Sequence, residues 1–157
     1  MNLYLTFEGV LHPIDFPEDA ESRAAFEMHR GEVLEQGRRL EKILECFPGV
    51  RIVLNTWWVY HLGASECRKM LPRGLATRVV GSVLVRPARW ESLPDRVLTT
   101  ETHIIAHGLQ QSLVLDHIHA RYSKAILSRA LLLPYARKLS DAHTADAIST
   151  FLHAFMA

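Results

Sequence analysis

The chain has 157 residues and reads as a single domain over 1–157, long enough to bury roughly two thirds of its unfolded surface without a metal or disulfide staple. Its 18 basic and 17 acidic side chains nearly cancel, which argues against a nucleic acid or other polyanion as partner on charge grounds. No apolar run approaches the ~18 residues of a membrane helix, no basic leader opens the chain, and Cys46 and Cys67 lack metal spacing, so no membrane and a reducing, cytoplasmic setting are expected, with both cysteines as buried free thiols.

Asn2 to Thr6 reads as a short apolar strand suited to the centre of a parallel sheet. Phe7 to Arg30 holds Gly9, Pro13 and Pro17 and reads as a long excursion, with some helix within Ala20 to His29. From Glu32 to Phe47, Val33, Leu40, Ile43, Leu44 and Phe47 recur at helical spacing, and Pro48-Gly49 ends the helix. Arg51 to Asn55 is the second strand, followed by Thr56-Trp57-Trp58 and a helix from Leu62 to Met70. Arg78 to Gly81 and Val83 to Val85 supply a further short strand. Thr99 or Thr100 is expected to cap a helix running through His103, Ile104, Ile105 and Leu109. Ser112 to Asp116 is a buried strand ending in an acid, and Leu131 to Leu133 is a last strand. Ser140 then caps a final helix with Ala145, Ile148, Leu152 and Phe155 on one stripe. Alternating strands and helices on this scale predict a three-layer α/β Rossmann-like domain with a mostly parallel central sheet.

In such a sheet the ligand crevice lies beyond the carboxyl ends of the strands. The strand tips therefore predict that Thr6 with Glu8, Asn55 with Thr56, and Asp116 with His117 converge. Arginines thicken the positive charge from Arg51 to Arg96, and with no interleaved aromatic platform they read as a solvated face.

The opening run Leu3-Tyr4-Leu5-Thr6-Phe7-Glu8-Gly9-Val10-Leu11-His12-Pro13 resembles the first motif of the haloacid dehalogenase (HAD) superfamily. The form is similar to that of the small HAD domains associated with RNA repair proteins. The resemblance puts Thr6 at the position of the nucleophilic aspartate and Glu8 at that of the acid/base aspartate. An alcohol needs a general base to become a useful nucleophile, and Glu8 carries one more methylene than aspartate. By the same resemblance Ile52-Val53-Leu54-Asn55-Thr56-Trp57-Trp58 corresponds to the phosphate-binding strand, with Asn55 or Thr56 as donors. The alternative is that these two residues only end the strand while Trp57 and Trp58 pack into the core. The family's phosphate-neutralising cation has no counterpart near Thr99. Arg96 is the nearest cation; it precedes the expected helix and reads first as an exposed loop residue, second as the substitute.

Leu113-Val114-Leu115-Asp116 is similar to the strand carrying the family's magnesium-binding acids, with His117 in place of the second acid. Losing one carboxylate beside a dication forfeits roughly 8 kcal/mol of attraction at ~4 Å and an effective dielectric of ~20, before desolvation returns much of it. No cofactor is expected beyond weak magnesium binding. Asp116-His117-Ile118-His119 with His12 as third donor is a transition-metal reading; ordinary polar residues at a strand end are the plainer one.

The leading functional expectation is a HAD-like domain that has lost phosphotransfer and keeps a crevice for a small anionic ligand or a protein partner, with Trp57 and Trp58 as anchors if exposed. The alternative is a divalent-metal-dependent phosphohydrolase in which Glu8 activates water and Asp116 holds the metal. A third reading, Thr6 as nucleophile activated by His117 or His12, requires a phosphothreonine. A nucleic-acid-processing accessory role rests on the resemblance alone.

Overall fold

Among the described residues, five strands form one parallel sheet in the order β3-β2-β1-β4-β5. The computed structural model describes residues 1–13, 31–89, 92–134 and 139–156. Strand β1 (Asn2–Leu5) lies at the centre between β2 (Arg51–Leu54) and β4 (Ser112–His117), with β3 (Val79–Ser82) and β5 (Ala130–Leu133) at the edges. Helix α1 (Gly31–Glu45) precedes β2. Three short helices, α2 (Trp57–Leu62), α3 (Ala64–Lys69) and α4 (Arg73–Ala76), link β2 to β3. Helix α5 (Arg96–His107) leads into β4, α6 (Lys124–Leu127) lies between β4 and β5, and α7 (Ala142–Met156) follows β5.

The three inner strands are apolar on both faces because both faces are covered. Leu3, Leu5, Ile52, Leu54, Leu113 and Leu115 point to one side, where they meet Val33, Leu40 and Leu44 of α1 and Ile148 and Leu152 of α7. Tyr4, Val53 and Val114 point to the other, against Ile104 of α5 and against Tyr122 and Ile126. Each fully buried aliphatic side chain contributes roughly 1.5–3 kcal/mol, so the sandwich is held from both sides. Among the described residues no helix is long and apolar enough to cross a membrane.

Several expectations are corrected. The helix expected around Leu62 to Met70 is Ala64–Lys69, and a further helix that was not expected, Trp57–Leu62, precedes it; Gly63, at φ 89° and ψ 154°, a conformation essentially confined to glycine, separates the two. Asp95, not Thr99 or Thr100, caps α5: its carboxylate accepts from Leu98 N at 3.0 Å, so the helix starts three residues earlier than Thr99. At α7 the capping carboxylate is that of Asp141, accepting from His143 N at 3.1 Å, rather than the Ser140 hydroxyl. Val83 to Val85 lie outside β3. Cys67 is buried as expected, but Cys46 is exposed at the end of α1. The helix expected within Ala20 to His29 lies outside the described residues.

Candidate functional site

Backbone register brings the strand tips together. Leu5 pairs with Leu54 on one side and Leu115 on the other, Asn55 N donates to Leu5 O at 2.8 Å, and Thr6 N donates to Leu115 O at 3.2 Å. Because side chains alternate along a strand, Asn55 and Asp116 share the face of Val53 and Val114, the face covered by α5. Starting α5 at Arg96 then drops its guanidinium onto them.

Glu8 reaches the same place by a turn. Gly9, at φ 72°, lets the chain curl so that Val10, Leu11 and His12 N–H all point at Phe7 O, at 3.2, 2.9 and 2.8 Å. The Glu8 side chain folds back into the protein at 1% exposure. Its Oε2 accepts from Thr6 Oγ1 at 2.7 Å and Thr56 Oγ1 at 2.8 Å, and its Oε1 accepts from Trp57 N at 2.8 Å. Thr56 also caps α2, accepting from Trp58 N at 3.2 Å.

A second network surrounds Asp116. Arg96 Nη1 donates to Asp116 Oδ2 at 2.7 Å and Nη2 to Oδ1 at 3.2 Å. The same Nη1 reaches Asn55 O at 3.1 Å and Asn55 Oδ1 at 3.0 Å. Tyr122 donates its hydroxyl to Asp116 Oδ2 at 2.7 Å, Asn55 Nδ2 donates to Tyr122 Oη at 2.9 Å and to Asp116 Oδ2 at 3.3 Å, and Thr100 Oγ1 donates to Asn55 Oδ1 at 2.7 Å. His117 is at the rim, with Nε2 3.4 Å from Arg96 Nη2, and its backbone N donates to Asp116 Oδ1 at 2.7 Å.

Burial sets the protonation tendencies. It drives the Glu8 carboxyl above its ordinary range, with Arg96 and the hydrogen bonds from Thr6 and Thr56 pulling the other way. For Arg96, burial opposes the charged form, but Asp116 and Glu8 overcome it and the guanidinium holds its proton more tightly than usual. Burial and the adjacent Asp116 carboxylate push the Tyr122 phenol up, which keeps it a hydrogen-bond donor.

The resemblance implies a magnesium ion, and the donor set can be tested against it. Asp116 takes protein donors on both oxygens: Arg96 and His117 N on Oδ1, and Arg96, Tyr122 and Asn55 on Oδ2. These five contacts fill the roughly four lone-pair sites of a carboxylate. Arg96 places a positive charge directly against the Asp116 carboxylate, which would repel a dication there, and His117 offers nitrogen where magnesium prefers oxygen. These residues do not fit magnesium. The transition-metal set of Asp116, His117, His119 and His12 is not assembled either: His12 packs its ring 5.0 Å from that of Trp58, His119 is exposed, and no group of three potential ligands occurs among the described residues.

Thr6, Glu8, Asn55, Thr56, Arg96 and Asp116 therefore lie at one end of the sheet in two buried networks, with His117 at their rim. Arg96 is neither exposed nor ahead of its helix; it is the first helical residue and 4% exposed. Trp58 is fully buried against Phe7, so it cannot serve as an exposed anchor, and Trp57 is partly buried. Sequence reasoning missed Thr100 and Tyr122. Thr100 was within reach, since it stands four residues after Arg96 on one helix face; Tyr122 sits in a loop with no periodic signal.

Residues 2–143 match a family model described as HAD domain in Swiss Army Knife RNA repair proteins. Neither the curated proteins nor the solved structures include a significant match.

Proposed function

We propose that this chain, which belongs to the family of HAD domains in Swiss Army Knife RNA repair proteins, is a catalytically impaired member acting through binding of a small anion or a protein partner. The observation that carries this reading is the fate of the Thr6 side chain. It stands at the tip of the central strand as an uncharged alcohol, and its hydroxyl is already donated to Glu8 at 2.7 Å. Removing a catalytic nucleophile can lower a rate by roughly a millionfold, so family chemistry would be negligible. Asp116 supports the same reading, since its oxygens serve Arg96, Tyr122 and Asn55.

One observation favours a second reading, a hydrolase with Glu8 as general base. A carboxyl group raised by burial is a stronger base than an exposed one, and Glu8 stands beside the tips of β1 and β2. The two readings separate in a screen of small phosphomonoesters with several divalent metals. Impairment predicts no turnover above the metal alone. Turnover abolished by both Glu8→Gln and Asp116→Asn would establish the hydrolase.

A further inference from the structure

His103 and His107 stand four residues apart in the last turns of α5, so their side chains share one side of the helix. Their rings stack, with centroids 4.0 Å apart and planes 14° from parallel. Each ring is held through Nδ1. His107 Nδ1 lies 2.8 Å from His103 O, and because a carbonyl only accepts, that nitrogen carries the proton and Nε2 is bare. His103 Nδ1 lies 2.9 Å from the hydroxyl of Tyr4, a fully buried residue of β1. In the tautomer that donates Nδ1–H to the phenol, His103 Nε2 is bare as well. Burial and the neighbouring His107 both make His103 harder to protonate, which leaves it a neutral base at pH 7.

These are the attributes of metal-ligating imidazoles, which bind through one nitrogen while the other is oriented by a hydrogen bond. Imidazole is a preferred donor for zinc, nickel and copper, and the carbonyl end of a helix favours positive charge. A single divalent ion satisfies both lone pairs; to meet on it the exposed His107 ring tilts out of the stack, and water completes the coordination. We propose that His103 and His107 form a two-histidine site for a divalent transition-metal ion of this class at the C-terminal end of α5. Tyr4 is its positioning residue, and through that phenol the bound ion ties the end of α5 to the central strand. The Glu8 and Asp116 networks lie at the other end of the helix, where Arg96 begins it, so the site is independent of the impaired-domain reading.

The test is metal-dependent thermal stabilisation of the purified chain with nickel chloride, against magnesium chloride of matched ionic strength. The wild type should show a saturable rise in melting temperature with nickel and none with magnesium, which prefers oxygen donors. His107→Ala should weaken nickel binding about tenfold or more, and Tyr4→Phe, which keeps the ring and deletes the hydroxyl, should weaken it about tenfold while leaving both imidazoles in place. His119→Ala and Cys46→Ser remove exposed donors elsewhere and should leave the response intact. No saturable response in the wild type, a full response in a folded His107→Ala, or a response lost instead in His119→Ala or Cys46→Ser overturns the proposal. Should His107→Ala not melt cooperatively, His107→Gln gives the same reading.

Discussion

Arg96 grips Asp116 with both arms of its guanidinium, at 2.7 and 3.2 Å, in a pair from which water is almost wholly excluded. Such a pair is compensated within itself and expensive to break from one side, because the remaining charge is left buried. Arg96→Met and Asp116→Asn should each lower stability by about 3–5 kcal/mol. The double substitution Arg96→Met with Asp116→Leu should cost well under the sum of the two single losses. Urea unfolding of the variants checks this, and single losses below about 1 kcal/mol would show that the pair is not closed to water.

The hydroxyls on Glu8 Oε2 give a second expectation. Thr6→Val and Thr56→Val each keep the shape of the side chain and delete one donor to a buried group, so each should cost about 1–3 kcal/mol. Since both act on one oxygen, their effects should couple rather than add, which a double-mutant cycle in urea measures directly.

Stability should depend on pH through Glu8. Its carboxyl is raised above the ordinary 4.5, chiefly by burial, so the folded chain holds this proton more tightly than the unfolded chain. The resulting stabilisation is fully present below the ordinary value and is lost as pH rises through the raised folded value. Glu8→Gln lacks that titration. Its stability relative to the wild type should therefore improve as pH rises above the ordinary carboxylate value of 4.5, measured by urea unfolding at a series of pH values. A constant difference would contradict the assignment.

The two cysteines should differ sharply toward a thiol reagent. Cys46 is exposed, whereas burial pushes the Cys67 thiol up to about 12 and keeps it protonated at neutral pH. A colorimetric thiol titration of the native protein should find one fast group, with the second appearing only in denaturant. Two fast groups would place Cys67 at the surface.

The sheet was largely legible in the sequence because inner parallel strands are apolar on both faces, as in Leu3-Tyr4-Leu5, Ile52-Val53-Leu54 and Leu113-Val114-Leu115. Their tips led to Thr6, Asn55 and Asp116. Arg96 was misread through the helix start. Thr99 and Thr100 look like caps, but inside α5 their hydroxyls bond back to Asp95 O and Arg96 O at 2.6 and 2.7 Å, the other local habit of threonine. With Asp95 as the cap, the cation moves from loop to site. The contact between Glu8 and Thr56 joins residues 48 positions apart and leaves no local trace. It depends on a turn whose direction the sequence does not encode beyond Gly9.

If this HAD domain is catalytically impaired as proposed, the purified wild-type chain with magnesium should release inorganic phosphate from a small phosphomonoester no faster than magnesium and ester do without protein. A saturable, magnesium-stimulated rate that disappears in Asp116→Asn would contradict it.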